Sequence, residues 1–224
     1  MPISPKGRLE WAKLFTPEMK FATDSKPHGF YAVDLILSKE DAAPLQKLLK
    51  EMDDANYKQA ADDALKAHRK KNGTKDSFKD GIAFAKAKGI ERNDIPGTPV
   101  KDENFKETGE IKFSFKEDAK WVRKKDGKEW NMKPQVVNAK NKPWDQTVDI
   151  GNGSIGKVLY EMNTYQTPAC GVSIKLRSVQ VIDWVEYGGS KSPFQEEEGE
   201  DINSEDAVLA AEGMFANEDT DVPF

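Results

Sequence analysis

From Glu110 onward the chain alternates with a period of two: Ile111, Phe113 and Phe115 are apolar, and Lys112, Ser114 and Lys116 between them are polar. That period fits a β-strand with one buried and one wet face. It does not fit an amphipathic helix, whose apolar residues recur every three to four positions. The wet face is basic. Residues 121–125 and 128–132 flank Asp126-Gly127, a strong signal for a two-residue hairpin turn. In that register Lys125 pairs with Lys128, Arg123 with Trp130 and Trp121 with Met132. Residues 135–138, 157–165 and 171–185 read as further strands. In the last, Val172, Ile174 and Leu176 hold one phase and Val179 and Val181 the other, which predicts a bulge near Ser178.

Upstream, residues 30–37 (Phe-Tyr-Ala-Val-Asp-Leu-Ile-Leu) form a strand bounded by Pro27, Gly29 and Ser38. Leu45, Leu48, Leu49 and Met52 then recur at helical spacing, with Asp41 as N-cap and Pro44 in the first turn, where proline is tolerated. This helix runs to about Ala67, before Asn72-Gly73, and a shorter one spans residues 77–88, carrying Phe78 and Ile82 and stopping at Gly89. Residues 91–108, with Pro96, Gly97 and Pro99, read as a loop. The expectation is an all-β OB-fold, a five-stranded Greek-key barrel, with a helical insertion at about 39–90. A long bent final strand suits a small closed barrel, although composition alone does not separate the OB-fold from other small barrels.

Charge divides the chain. The net charge is -5, yet residues 195–224 hold 11 acidic and no basic residues, leaving 34 basic against 28 acidic residues before them, a net of +6. A mildly basic body of residues 1–190 followed by an acidic tail of 191–224 suggests a nucleic-acid surface with a competitor attached to it. Residues 1–15 lack an apolar run, and no segment approaches the roughly 18 apolar residues of a membrane span. The expectation is therefore a chain without a secretion signal or membrane partner. Cys170 is the only cysteine and His28 and His68 the only histidines, which rules out an internal disulfide and the common zinc sets. No cofactor or metal is expected.

The hairpin gathers Trp121, Arg123, Lys125, Lys128, Trp130 and Met132 on one face. Aromatic planes that stack bases at about 1–3 kcal/mol each, beside cations that follow phosphates, are what a sequence-independent single-strand binder needs. The alternative reading puts one or both tryptophans in the core and leaves the lysines merely solvated. Tyr160 and Tyr165, with Lys175 and Arg177, make a second candidate surface; Lys112 belongs to the basic face of its strand. Either tyrosine also serves as a buried residue with a bonded hydroxyl. The run His68-Arg69-Lys70-Lys71 closes the long helix, where positive charge suits the helix dipole as readily as a phosphate. Gly151-Asn152-Gly153-Ser154-Ile155-Gly156 matches a dinucleotide-loop pattern in letters only, because a strand and not a helix follows it. Neither histidine has a nucleophile partner in view, and the acidic pairs Asp53-Asp54 and Asp62-Asp63 fit solvated helix faces.

The tail is low in complexity and expected to be disordered, and it ends in Asp221-Val222-Pro223-Phe224. A terminal aromatic preceded by acids, here Asp219 and Asp221 before Pro223 and Phe224, fits a partner's apolar pocket with a basic rim. A purely solubilising tail is the other reading.

The terminus is similar to the Asp-Ile-Pro-Phe end of bacterial single-stranded DNA-binding proteins. The body resembles the single-stranded DNA-binding protein of short-tailed lytic phages (podovirus type). The resemblance runs from Gly29 to Gly189 and is clearest in Phe30-Tyr31-Ala32-Val33-Asp34-Leu35, Ile150-Gly151-Asn152-Gly153-Ser154 and Gly171-Val172-Ser173-Ile174-Lys175-Leu176. It implies an OB-fold non-enzyme acting in DNA replication, recombination and repair in the cytoplasm of an infected bacterium. It further implies strand annealing, a homodimer, and a tail that covers the DNA groove and recruits a replicative DNA polymerase and primase-helicase. Tyr165 falls where that family places a base-stacking tyrosine. The insertion between Leu37 and Glu110 is longer than in that family, and the tail is interrupted by the apolar residues 207–211 and Met214-Phe215. Two rivals stand beside this reading: a protein-interaction scaffold working through the tail, and a small metal-dependent nuclease, which requires clustered carboxylates.

Overall fold

Strand alternation sets the architecture of the computed structural model, which describes residues 1–20, 22, 27–73, 78–123, 125–167 and 169–188. Strands β1 (Gly7–Glu18) and β2 (Phe30–Ser38) lead into helices α1 (Lys39–Asn72) and α2 (Gly81–Lys88). Strands β3 (Thr98–Lys101), β4 (Glu107–Asp118), β5 (Lys120–Val122), β6 (Glu129–Asn131), β7 (Gln135–Val137), β8 (Ser154–Tyr165) and β9 (Gly171–Asp183) follow. The fold is thus mostly β-sheet with a helical insertion. Seven strands share one sheet in the order β3-β4-β2-β1-β8-β9-β7, and β5 and β6 form a separate ribbon. Lys116 of β4 also meets Lys175 of β9 in parallel, so the pairing path through β4, β2, β1, β8 and β9 returns to β4.

The alternating residues supply the core. Ile111, Phe113 and Phe115 of β4 face inward against Val33 and Leu35 of β2, Val158 of β8 and Leu176 and Val179 of β9, all buried. Each such side chain contributes about 1.5–3 kcal/mol by leaving water. From α1, Leu45 and Leu49 pack onto this core, while Ala61 and Leu65 are buried further along the helix, which packs on α2 with its buried Phe84. At Gly81 a Cβ would strike Asp62 of α1, so glycine permits the close approach of the two helices.

Several local expectations shift. The N-cap of α1 is Ser38 rather than Asp41: its hydroxyl accepts from the Asp41 amide at 3.1 Å, so the strand turns directly into the helix. Pro44 consequently lies beyond the first turn and removes the bond to the Glu40 carbonyl, which is exposed to water. The helix reaches Asn72, and α2 starts at Gly81 behind the N-cap Asp80, whose carboxylate accepts from Ala83 N at 2.8 Å. Residues 91–108 include β3, with Thr98 opposite Lys112. The hairpin turn is longer than two residues, because Arg123 N donates to Lys128 O at 2.9 Å and Trp121 stands opposite Trp130. The predicted bulge is present: Leu159 pairs with Ser178 and Tyr160 with Leu176, leaving Arg177 as the extra residue. Strand β1 has no counterpart in the sequence reading. No helix among the described residues is long and apolar enough to cross a membrane.

Candidate nucleic-acid interface

Because β4 and β9 meet at a single residue pair, the two strands splay on either side of it and leave a cleft of about 430 Å³ open to solvent. Lys112, Ser114 and Lys116 line one wall, Ser173 and Lys175 the other, and Thr98 closes an end. Lys112 lies 3.5 Å from Asp34 and Lys175 3.6 Å from Glu117. Lys116 is different: its ammonium sits 5.2 Å from the Phe30 ring centroid, and among the described residues no carboxylate is paired with it. A cation over a ring presents charge and an aromatic edge at one place.

Tyr165 ends β8 opposite Gly171, and strand alternation puts it on the same outer face as Ser173 and Lys175. Its ring is half-buried, and it covers Gly171 closely enough that a Cβ there would collide with the phenol. The hydroxyl accepts from Asn93 Nδ2 at 3.0 Å. Its carbonyl accepts from Asn56 Nδ2 at 2.9 Å, and the same amide reaches the Gly171 carbonyl at 3.2 Å. Asn56 is buried on α1, and Asn93 follows Arg92, which pairs with the buried Asp53 at 2.5 Å and with Asp54. The hydrogen bond from Arg92 holds the Asp54 carboxyl below its usual range. The helical insertion therefore fixes the tip on which Tyr165 stands.

The hairpin carries its tryptophans outside the core. Trp121 and Trp130 are cross-strand partners with centroids 4.7 Å apart and planes inclined by 47°, and Trp121 is 52% exposed. Arg123 and Lys128 flank the Trp130 ring at 5.3 and 5.2 Å. Arg123 also pairs with Asp126, which raises the guanidinium and lowers the carboxyl from their ordinary values. Lys125 is exposed. Asp118 lines both the cleft and the hollow beside Trp121, so the two surfaces adjoin.

Two expected contacts fall away. Tyr160 is a core residue, 4% exposed, with its ring 5.3 Å from Phe115, and burial pushes its phenol up. It points inward because the bulge at Arg177 keeps it in phase with Leu176. Arg177 bridges two carboxylates, Glu117 at 2.6 Å and Glu161 at 2.6 Å, and Glu117 is itself buried. Its charge is committed to the fold, and its hydrogen bonds hold the Glu161 carboxyl below the ordinary range. Asp219, Asp221, Pro223 and Phe224 lie outside the described residues. The sequence reading passed over Phe30, Asn56 and Asn93. Phe30 is legible as an outward residue once β2 is phased on buried Val33 and Leu35, whereas the asparagines have no local signal. Among the described residues no group of three or more His, Cys, Asp or Glu is placed to hold a metal ion.

A family model, single-stranded DNA-binding protein of bacteriophage T7, matches residues 7–184. Among solved structures, gp2.5, a single-stranded DNA-binding protein encoded by bacteriophage T7, is similar at a TM-score of 0.55 and 21% identity, covering 100% of this chain and 98% of that one. The single-stranded DNA-binding protein of bacteriophage Enc34 in complex with ssDNA is similar at a TM-score of 0.50 and 14% identity, covering 84% and 88%. At these identities the likeness is one of fold. A comparison with curated proteins finds no match.

Proposed function

The chain belongs to the family of the single-stranded DNA-binding protein of bacteriophage T7, and from that premise we propose that it binds single-stranded DNA without reading sequence, along the cleft between β4 and β9. The family is one of binding proteins, not enzymes. The observation that carries the proposal is the facing of Ser173 and Lys175 on β9 toward Lys112 and Lys116 on β4 across an open cleft, with Tyr165 at the end of β8 in the cross-strand phase of Ser173 and Lys175. A base stacks on Tyr165 while phosphates follow Lys112, Lys116 and Lys175. Trp121 and Trp130, with Arg123, Lys125 and Lys128, take the strand beyond Asp118. The closed pairing path supports reading β1, β2, β4, β8 and β9 as the five-stranded Greek-key barrel of an OB-fold, whose middle strands and loops bind oligonucleotides.

The acidic residues 195–224 compete electrostatically for the cleft and are displaced by DNA, freeing Phe224 for a replicative DNA polymerase or primase-helicase. The setting is phage DNA replication, recombination and repair in the host cytoplasm, with the chain acting as a homodimer. The test is a titration with oligo-dT and a matching duplex, for the intact chain and one ending at Phe194, at two salt concentrations. Preference for the single strand, tighter in the shortened chain at low salt, supports the proposal. Absence of binding by either form would leave a scaffold acting through its tail.

A further inference from the structure

On the far side of β2 from the cleft, three aromatic side chains stand outside the core: Trp11 at 66% exposure, Tyr187 at 58% and Trp184 at 46%. Trp11 sits in the β1 bulge between Glu10 and Lys13, with φ at 51°. A bulky residue in the left-handed region costs about 1–3 kcal/mol and persists only where its surroundings hold it. Here Asn152 Oδ1 accepts from the Trp11 amide at 2.8 Å. The same loop is laced to the segment after β9, since Gly151 N donates to Val185 O at 2.9 Å and Ile150 bridges to Glu186. Lys13 leans over the Tyr187 ring at 5.9 Å, and the two line a hollow of about 180 Å³ with Ala12 and Phe15. Among the described residues no carboxylate is ion-paired with Lys13.

This surface is continuous with the cleft. Lys175 stands opposite Lys116, Lys116 opposite Ala32, and Ala32 opposite Lys13, all in one cross-strand row. Paired residues project to one face of a sheet, so the row is a basic track interrupted only by a methyl group, about 14 Å long at ~4.8 Å per strand. Phe30 and Asp34 flank Ala32 on β2 and leave a dip between them. Lys116 and Lys13 are each set over an aromatic ring, Phe30 and Tyr187.

We propose that Trp11 and Tyr187, with Lys13, form a second base-stacking platform, reached by single-stranded DNA that leaves the β4–β9 cleft over Ala32. The inference rests on the proposed DNA-binding role and adds a path and an end to it. Asp149 also lines the hollow, so bases occupy it while the phosphates pass on the Lys13 side. The bulge and its strained tryptophan then serve to turn an aromatic ring outward from a strand whose alternation would otherwise place it elsewhere.

The test uses the full-length chain and oligo-dT of about 4 to about 16 nucleotides, the range of site sizes for one such fold. Trp11→Asn keeps a residue tolerant of the left-handed conformation; Tyr187→Ala and Lys13→Gln are independent surface variants, and melting temperatures control for folding. The shortest oligonucleotides should bind all forms alike, whereas on the longest the variants should bind about tenfold more weakly and occlude fewer nucleotides. An unchanged dependence on length would overturn the proposal. So would a change in sedimentation without a change in binding, which would assign the patch to a second copy of the chain. If the intact chain binds no oligonucleotide of any length, the DNA-binding reading itself fails and this one with it; if it binds and the variants match it at every length, the second platform alone fails.

Discussion

The phenol of Tyr165 fills the space above Gly171, where a Cβ would collide with its oxygen and ring. Gly171→Ala should therefore displace the ring without disturbing the backbone, since glycine is not in the left-handed region there. We expect the affinity for oligo-dT to fall almost as far as in Tyr165→Ala, by about 1–3 kcal/mol. Melting temperature should barely move in Gly171→Ala, and unchanged affinity would show that the ring is not a platform.

Tyr165→Phe separates stacking from hydrogen bonding. The ring stays and only the bond from Asn93 is lost, so the cost in affinity should be within about 1 kcal/mol. Asn93→Ala should behave similarly, and fluorescence titration of both beside Tyr165→Ala reads the difference.

Salt dependence distinguishes cations that meet phosphates from cations that hold the fold. For single strands the slope of log affinity against log salt changes by about 0.7 per phosphate contact. Lys116→Ala should lower the slope by that amount, and Arg177→Ala should leave it unchanged. A reduced slope in Arg177→Ala would return that residue to the interface.

Arg177→Ala should instead cost stability, up to about 3 kcal/mol in a denaturant titration, because it removes the shorter of the two ion pairs of buried Glu117 and leaves only Lys175. The same network predicts a pH dependence. Glu161 has its folded pKa depressed by Arg177, so its contribution is complete above the unfolded carboxylate value of about 4.3 and is lost as pH falls through the lower folded value. Midpoints should decline below about pH 4 in the parent and less steeply in Arg177→Ala. The effect should be modest and salt-sensitive, since Glu161 is more than a third exposed.

Strands β4 and β9 were legible by alternation, unbroken in β4 and with one slip in β9, and β2 and β8 by their runs of β-branched and aromatic residues between turn residues. Strand β1 was not, since its buried residues Leu9 and Leu14 lie an odd number of positions apart, across the bulge at Trp11. Asp126-Gly127 signalled a hairpin but misplaced its register by two residues, a shift that keeps Trp121, Arg123, Lys128 and Trp130 on one face. The candidate site was legible in its strand cations and in Tyr165. It was illegible where it depends on distant segments: nothing near Asn56 or Asn93 in the sequence announces that they meet at Tyr165. Tyr160 and Arg177 were misassigned for the same reason, because burial and ion pairing are settled by Phe115, Glu117 and Glu161 on other strands or across the sheet.

The most direct test of the central claim is photocrosslinking of an iodouracil-substituted oligo-dT to the intact chain, with the modified peptides mapped. We predict crosslinks at Tyr165, which shares the phase of Ser173 and Lys175, and at Phe30, beneath Lys116, or Trp121, in the adjoining hollow. Crosslinks confined to the helices, for example to the basic end of α1 around Arg69, would contradict the account.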